Sequence, residues 1–246
     1  MALYLIGTSG WHYDHWRERF YPADLPKPQW LEFYARHFPT LEINSSFYHL
    51  PTENAFARWR DASPADFVFA VKVSRFITHI KKLTDCEEAL RTFISRAQVL
   101  GEKLGPLLYQ LPPGLGRDAE RLKAFIGLIP AGLRLVFEFR NDSWFDPEIY
   151  RILRDRNIAL CIYDRGSQPS PCEITADFSY IRFHGSAARR GCYSDAELGS
   201  WAERIARLGT QTQTVYIYFN NDAQGFALRN ARRLADLLST PFALNP

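Results

Sequence analysis

Charged side chains interrupt the hydrophobic segments of this 246-residue chain in a regular way. The clearest case is the run LVFEFR at 135–140. Its odd-numbered residues are all apolar, whereas the even-numbered ones end in the charged pair Glu138 and Arg140. Successive side chains of a β-strand point to opposite faces, so Glu138 and Arg140 share a face. Because an unpaired charge inside an apolar core costs several kcal/mol or loses its charge, this pair needs partners or a function.

Polar side chains also stand at the ends of most of the other predicted strands. They are Glu42, Asn44, Lys72, Gln110, Asp164, Arg182, His184, Tyr216, Tyr218 and Asn220. Within this ring three carboxylates nearly balance three cations. Such a ring favours a preorganised pocket for a small polar or anionic group, in which arginines bind carboxylate or phosphate and acids transfer protons. Ion pairs with a purely structural role are the alternative.

Side-chain chemistry suggests a role for each candidate. Glu138, Asp164 and His184 are the candidate catalytic groups, because carboxylates and imidazole exchange protons. The candidate substrate-binding residues are Glu42, Asn44, Lys72, Gln110, Arg140, Arg182, Tyr218, Asn220, Asn221, Trp11 and Trp144. A pair of carboxylates would also suit glycoside hydrolysis, but only their separation decides that.

Other catalytic templates find little support. Among the predicted strand ends only His184 offers an imidazole, so we predict no metal site, and the cofactor remains unknown. The sequence contains no phosphate-binding P-loop, dinucleotide-binding glycine motif, nucleophile elbow or HExxH motif. Its four cysteines form no CxxC pair, which is typical of reduced thiols.

Eight hydrophobic segments that alternate with helical patterns would position these residues. Strands are expected at 3–7, 40–44, 67–73, 106–111, 134–140, 158–163, 180–184 and 215–219. Helices are expected at 28–37, 53–60, 85–103 (the longest), 118–128, 146–156, 195–208 and 223–238. The order predicts an α/β fold, a TIM-like (β/α)8 barrel of parallel strands that spans 1–246 as one domain. A doubly wound open sheet is the alternative, because sequence alone does not show closure.

Two connections are unusual. The segment 164–177 contains Gly166, Pro169 and Pro171 and lacks helical periodicity, so irregular chain should replace the crossover helix between the sixth and seventh strands. The loop 185–191 follows the seventh strand, where such barrels frequently bind phosphate. Its Arg189 and Arg190 fit that role, although a solvated loop is equally consistent.

Bulk properties narrow the class of protein. A net charge of +3 and a pI near 8.7 leave nucleic acid as a possible partner but do not favour it. The chain begins without the pattern of a signal peptide, and no apolar run approaches the roughly 20 residues of a membrane span. We therefore expect a cytoplasmic protein without a membrane partner.

Several motifs resemble the YecE-like family, domain-of-unknown-function family 72. They are GTSGW at 7–11 with FYP at 20–22, LEINSSFY at 41–48, Lys72 with TH at 78–79, LPP at 111–113, EFR at 138–140 with SW at 143–144, RFHG at 182–185 and FNND at 219–222. The resemblance covers almost the entire chain. It implies a TIM-like barrel similar to the xylose-isomerase and endonuclease-IV-like superfamily, but it brings no established activity.

Three hypotheses remain for the function. The first is an enzyme that acts by acid/base chemistry on a small polar or anionic, sugar-like substrate bearing phosphate or carboxylate. The second is a nucleic-acid-binding or endonuclease-like barrel, with Trp11, Tyr48 and Trp144 for stacking and Arg189 and Arg190 for phosphates. The third is a barrel that binds a ligand without catalysis.

Overall fold

A closed barrel of eight parallel strands forms the centre of the computed structural model, which describes residues 2–166 and 169–239. The strands are β1 (Leu3–Ser9), β2 (Thr40–Ile43), β3 (Val68–Lys72), β4 (Leu104–Gln110), β5 (Leu135–Glu138), β6 (Ala159–Asp164), β7 (Phe178–Phe183) and β8 (Thr214–Phe219). Each strand pairs with the next along the chain, and β8 pairs in parallel with β1 from Leu3 to Thr8. The predicted TIM-like barrel is confirmed, and the alternative of an open sheet is wrong.

Helices surround the barrel. They are α1 (Trp30–Ala35), α2 (Ser45–Tyr48), α3 (Glu53–Asp61), α4 (Glu87–Ala97), α5 (Ala119–Gly127), α6 (Pro147–Arg154), α7 (Asp195–Gly209) and α8 (Phe226–Leu237). None of the described helices is long and apolar enough to cross a membrane.

The helix expected at 85–103 is shorter than predicted. It begins only at Glu87, because Asp85 has a positive φ of 44°, and it ends at Ala97 in a 3₁₀ segment. Gly101 then takes a φ of 60°, which breaks any α-helical continuation. The longest helix in the described part of the chain is therefore α7, with 15 residues.

The connection from β6 to β7 has no helix among its described residues, 165–166 and 169–177, as the sequence predicted. Side chains satisfy the backbone of β6 instead. The Thr175 hydroxyl donates to the Ile158 carbonyl at 2.6 Å and accepts from the Leu160 amide at 2.8 Å. Ser170 Oγ accepts from the Tyr163 amide at 2.8 Å. These bonds let irregular chain cover β6 without leaving buried backbone groups unpaired.

The barrel separates two cores. The larger lies between strands and helices, and the smaller fills the barrel interior with the side chains of Leu5, Ala70, Leu108, Val136, Ala159, Cys161, Phe178, Tyr180, Tyr216 and Tyr218. The interior is thus apolar at the amino-terminal end of the strands. Residues of the same parity further along each strand are polar, and they meet at the carboxyl-terminal mouth.

Candidate functional site

A buried ion triad spans the barrel interior below the mouth. Arg182 on β7 donates from Nη2 to Glu42 Oε1 at 2.8 Å and from Nη1 to Glu138 Oε2 at 2.7 Å. The Tyr180 hydroxyl donates to the second oxygen of Glu42 at 2.6 Å. All four side chains are fully buried. The guanidinium is therefore paired with both carboxylates, and one negative charge of the triad is left for a second cation.

Arg140 adds a second cation to Glu138. Its guanidinium pairs with Glu138 Oε1, the oxygen that Arg182 does not contact. Burial by itself would raise the pKa of the Glu138 carboxyl, but the charges of Arg182 and Arg140 outweigh it and hold that pKa well below its usual range. Glu138 is thus ionised at neutral pH, and it positions two arginines.

His184 lies at the mouth beside Arg140. Arg140 Nη2 donates to His184 Nε2 at 2.9 Å, while Nδ1 lies 3.1 Å from the Asn220 side-chain amide. Burial, followed by the charge of Arg182, lowers the pKa of His184 far below its ordinary value. The ring is therefore neutral at ordinary pH.

Lys72 is the cation of the mouth that has no carboxylate partner among the described residues. Its Nζ lies 4.1 Å from the centre of the Phe47 ring. Within the described part of the chain this ammonium forms neither an ion pair nor a hydrogen bond, in contrast to the guanidinium of Arg182. Burial and then the charge of Arg182 lower the pKa of Lys72 to about 8. Lys72 can therefore exchange its proton at a pH not far above neutral.

Three amides complete the mouth. Asn44 Nδ2 lies 3.4 Å from Asn220 Oδ1, and Asn44 Oδ1 is buried without a hydrogen-bond partner. Gln110 stands opposite Glu138 in the strand register and shares its interior face. A buried acceptor without a partner is uncommon, and a ligand hydroxyl or amine would satisfy it.

Asp164 is not part of this cluster, contrary to the prediction. Tyr163 stands opposite Arg182 and faces inward, so Asp164, opposite Phe183, faces outward. Its carboxylate accepts from Trp201 Nε1 of α7 at 3.0 Å. The expected balance of charges is wrong for the same reason. Lys72, Arg140 and Arg182 (three cations) face Glu42 and Glu138 (two carboxylates), which leaves one positive charge in excess.

Asn221 and Tyr218 also lie away from the mouth surface. Asn221 Nδ2 donates to the Gly191 carbonyl at 2.8 Å and to Asn230 Oδ1 of α8 at 2.9 Å, so the side chain ties two connections together outside the barrel. Tyr218 is fully buried inside the barrel, and its hydroxyl lies 2.6 Å from Thr40 Oγ1. Both side chains therefore stabilise the structure around the mouth and do not line it.

The two tryptophans expected at the rim are packed in the outer core. Trp144 is fully buried and stacks on Phe139 with ring centres 4.7 Å apart. Trp11 meets Trp59 of α3 edge to face at 5.3 Å. Neither ring faces the other candidates. Of the three aromatics proposed for stacking on bases, only Tyr48 is exposed.

Sequence reasoning missed four residues around the cluster. They are Ser9, Phe47, Tyr163 and Tyr180. Ser9 stands opposite Glu42 with a buried hydroxyl that lacks a partner, and the Arg140 guanidinium lies 4.7 Å from the Tyr163 ring centre. Tyr180 and Tyr163 follow the inward parity of their strands, so parity could have found both. Phe47 lies on α2, where strand parity gives no signal.

In the described residues no three His, Cys, Asp or Glu side chains are grouped as a metal ion would require.

Comparison with known proteins shows the family of this chain. The model of the family described as "Protein of unknown function DUF72" matches residues 5–245. The UPF0759 protein YunF of Bacillus subtilis (strain 168) is 27% identical over 276 residues, covering 97% of this chain and 95% of that protein. The UPF0759 protein YecE of Escherichia coli (strain K12) is 30% identical over 242 residues, covering 87% and 85%.

Solved structures show the same relationship. A DUF72 family protein from Thermotoga maritima superposes with a TM-score of 0.85 at 28% identity, covering 96% of this chain and 99% of that one. One from Enterococcus faecalis reaches 0.86 at 23% identity, covering 99% and 98%. The chain therefore belongs to the DUF72 family, as its motifs indicated.

Proposed function

We propose that this protein is an enzyme that binds a small hydroxylated anion, sugar-like and bearing phosphate or carboxylate, at the barrel mouth and moves protons on it. The observation that carries the proposal is Lys72, a half-buried cation without a carboxylate partner. Burying such a charge is costly, and an anionic ligand would offset that cost.

Arg140 would provide a second positive charge for the anionic end of the ligand. Its Nε and Nη2 are engaged by Glu138 and His184, while Nη1 makes no hydrogen bond to the described residues. Glu138 and Glu42 fix the orientation of the arginines without neutralising Lys72. The excess positive charge of the cluster therefore lies on the side where Lys72 and Arg140 meet the mouth.

The polar end of the ligand would lie against the amides. Asn44 Oδ1 needs a donor, and a sugar hydroxyl supplies one. For proton transfer the partly deprotonated Lys72 is better suited than Glu138 or His184, because the pKa of each of those two groups is held far below neutral pH. This assignment replaces the catalytic role first considered for Asp164 and gives Glu138 a positioning role.

A calorimetric titration tests the anion site. Inorganic phosphate and then glycerol phosphate are titrated into the protein at pH 7, beside Lys72→Met and the control Lys123→Met, an exposed lysine of α5 that pairs with Glu120. We expect Lys72→Met to weaken binding about tenfold or more, the worth of a charged hydrogen bond, and Lys123→Met to leave it unchanged. Equal affinity in the two variants, or no binding to the wild type, contradicts the proposal. Saturable binding of phosphorylated sugars without any product would favour the non-catalytic alternative.

A further inference from the structure

We infer that Lys72 is a nucleophile that forms an imine with an aldehyde or ketone carrying a phosphate or carboxylate group. The inference rests on the proposed function for the anionic group and names the substrate class of the same site. Amine nucleophiles of this kind need an accessible, uncharged nitrogen at a defined position.

The surroundings of Lys72 Nζ differ from those of Lys27, Lys103 and Lys123, whereas Lys81 Nζ also lies over a phenylalanine ring, 5.9 Å from the centre of Phe76. Lys103 Nζ donates to the Arg60 carbonyl at 2.5 Å, the Ser63 carbonyl at 2.6 Å and Ser63 Oγ at 3.1 Å, so three oxygens hold its ammonium. Lys27 and Lys123 pair with carboxylates at the surface. Among the described residues Lys72 Nζ has no ion pair or hydrogen bond, and it lies over the face of the Phe47 ring. Its lone pair, once free of the proton, is not engaged by any described group.

Local structure fixes where this nitrogen lies. The Ser46 hydroxyl of α2 donates to the Lys72 carbonyl at 2.6 Å and to the Ile43 carbonyl at 3.0 Å, and it therefore ties α2 to the ends of β2 and β3. Phe47, the next residue of α2, is thereby held against Nζ. The amine is thus positioned by a strand on one side and by an aromatic ring on the other, which is the preorganisation a nucleophile requires.

The charges around Lys72 favour the neutral amine. The groups that act on it are the cations Arg182 of β7 and Arg140, which follows β5, opposed by the carboxylates Glu138 and Glu42. Burial is the largest influence, and together they bring the pKa of Lys72 to about 8. Lysines whose pKa is lowered by burial and by neighbouring cations serve as imine-forming groups in enzymes.

The step balances without an oxidant or a reductant. The neutral Nζ adds to the carbonyl carbon, a C–N bond forms, and the C=O π electrons move to oxygen. A proton passes from nitrogen to that oxygen through solvent at the mouth. A second proton, taken from solvent, then adds to the hydroxyl group. The C–O bond breaks as the nitrogen lone pair forms the C=N bond, so water leaves and a protonated imine remains. This cation withdraws electrons from the adjacent carbon, which facilitates proton abstraction or C–C cleavage there.

Reductive trapping tests the inference. The full-length protein is incubated at pH 8 with dihydroxyacetone phosphate or pyruvate, reduced with sodium borohydride and mapped by peptide mass spectrometry. We expect the reduced adduct on Lys72, about tenfold or more above its level on Lys103 and Lys123. Labelling of Lys72 at or below the level of exposed Lys123 would overturn the inference.

Two comparisons separate this inference from the proposed function. Lys72→Arg retains the positive charge but cannot form an imine, so it should bind phosphate and lose the adduct, with thermal melting to confirm the fold. Phosphate binding by the wild type without an adduct would overturn the imine alone. A Lys72 adduct that forms equally well with uncharged acetone would overturn the anion site and leave the imine standing.

Discussion

The charges of the mouth divide into two kinds of residue. Glu42, Glu138 and Arg182 are fully buried and paired with one another, so their main effect is to fix geometry. Lys72 is half-buried and unpaired, and it carries the reactivity that we propose. A carboxylate that is paired with two arginines is a weak proton acceptor. We therefore assign Glu138, a candidate catalytic group in the sequence, the role of positioning Arg140 and Arg182.

Glu138→Gln should destabilise the protein strongly. The change leaves Arg182 and Arg140 without a carboxylate that both contact, and breaking a buried pair in this way costs about 3–5 kcal/mol. Urea unfolding followed by tryptophan fluorescence measures the loss. The control is Glu148→Gln, which removes a partly exposed pair with Arg117 and should cost at most about 1 kcal/mol. Similar losses in the two variants would show that the triad contributes little.

The affinity for anions should fall as the pH rises through about 8. Below that pH Lys72 is protonated and attracts the ligand, whereas above it the neutral amine does not. Glycerol phosphate titrations between pH 7.5 and 9.5 at constant ionic strength measure the change, a range in which a phosphate monoester is almost entirely dianionic. Lys72→Arg, which stays charged, is expected to flatten the profile. A wild-type profile as flat as that of Lys72→Arg would rule out Lys72 as the titrating group.

Parity identified many of the mouth residues from sequence alone, but it has a clear limit. It located Glu42, Glu138 and Arg182 correctly on interior faces, because both neighbours of each are apolar and point to the helices. It failed at Asp164, since a shift of one residue at a strand end exchanges the two faces. Trp11 and Trp144 lie beyond strand ends, where parity does not apply, and large aromatics there were buried by helix packing.

At the level of elements, hydrophobic periodicity predicted each of the eight strands and the absence of a helix between β6 and β7. It did not predict the shortening of α4. That boundary depends on the positive φ values of Asp85 and Gly101, which no periodicity reveals. The pairings inside the ion triad were equally hidden, because they depend on the register between strands.

The close approach of β1 to β2 gives a prediction for Gly7→Ala. A Cβ at Gly7 would lie 2.1 Å from the Thr40 carbonyl oxygen and 3.1 Å from the Tyr34 hydroxyl, so β1 must move away from its neighbour. We expect a loss of about 1–3 kcal/mol in the free energy of unfolding. Urea unfolding monitored by circular dichroism gives the value.

The matched control is Gly127→Ala at the end of α5. A Cβ there meets nothing within 4 Å, and alanine is the better helix former, so stability should stay the same or increase by up to about 1 kcal/mol. If Gly7→Ala were as stable as Gly127→Ala, the contact between β1 and β2 would be looser than the structure implies.

For the whole molecule, the ion triad acts as a cross-brace of the barrel. Its members come from β2, β5 and β7, which are not neighbours in the ring, so the contacts cross the interior and join distant walls. Hydrogen bonds between adjacent strands close the barrel, but only side chains can connect its opposite sides. The apolar interior core does this at one end of the strands, and the triad does it at the other.

This cross-brace should make the whole fold sensitive to acid. The pKa of Glu138 in the folded protein lies below its ordinary value of 4.5, so its stabilisation is fully present above pH 4.5 and is lost as the pH falls further. One proton taken up on unfolding corresponds to a slope of about 1.4 kcal/mol per pH unit. Urea unfolding at intervals between pH 6 and pH 3 measures the slope. Glu138→Gln, although less stable at pH 6, should lose stability more slowly below pH 4.5, and Glu148→Gln should follow the wild type. An unchanged slope in Glu138→Gln would mean that acid unfolds the barrel through other carboxylates and that the triad does not hold its walls together.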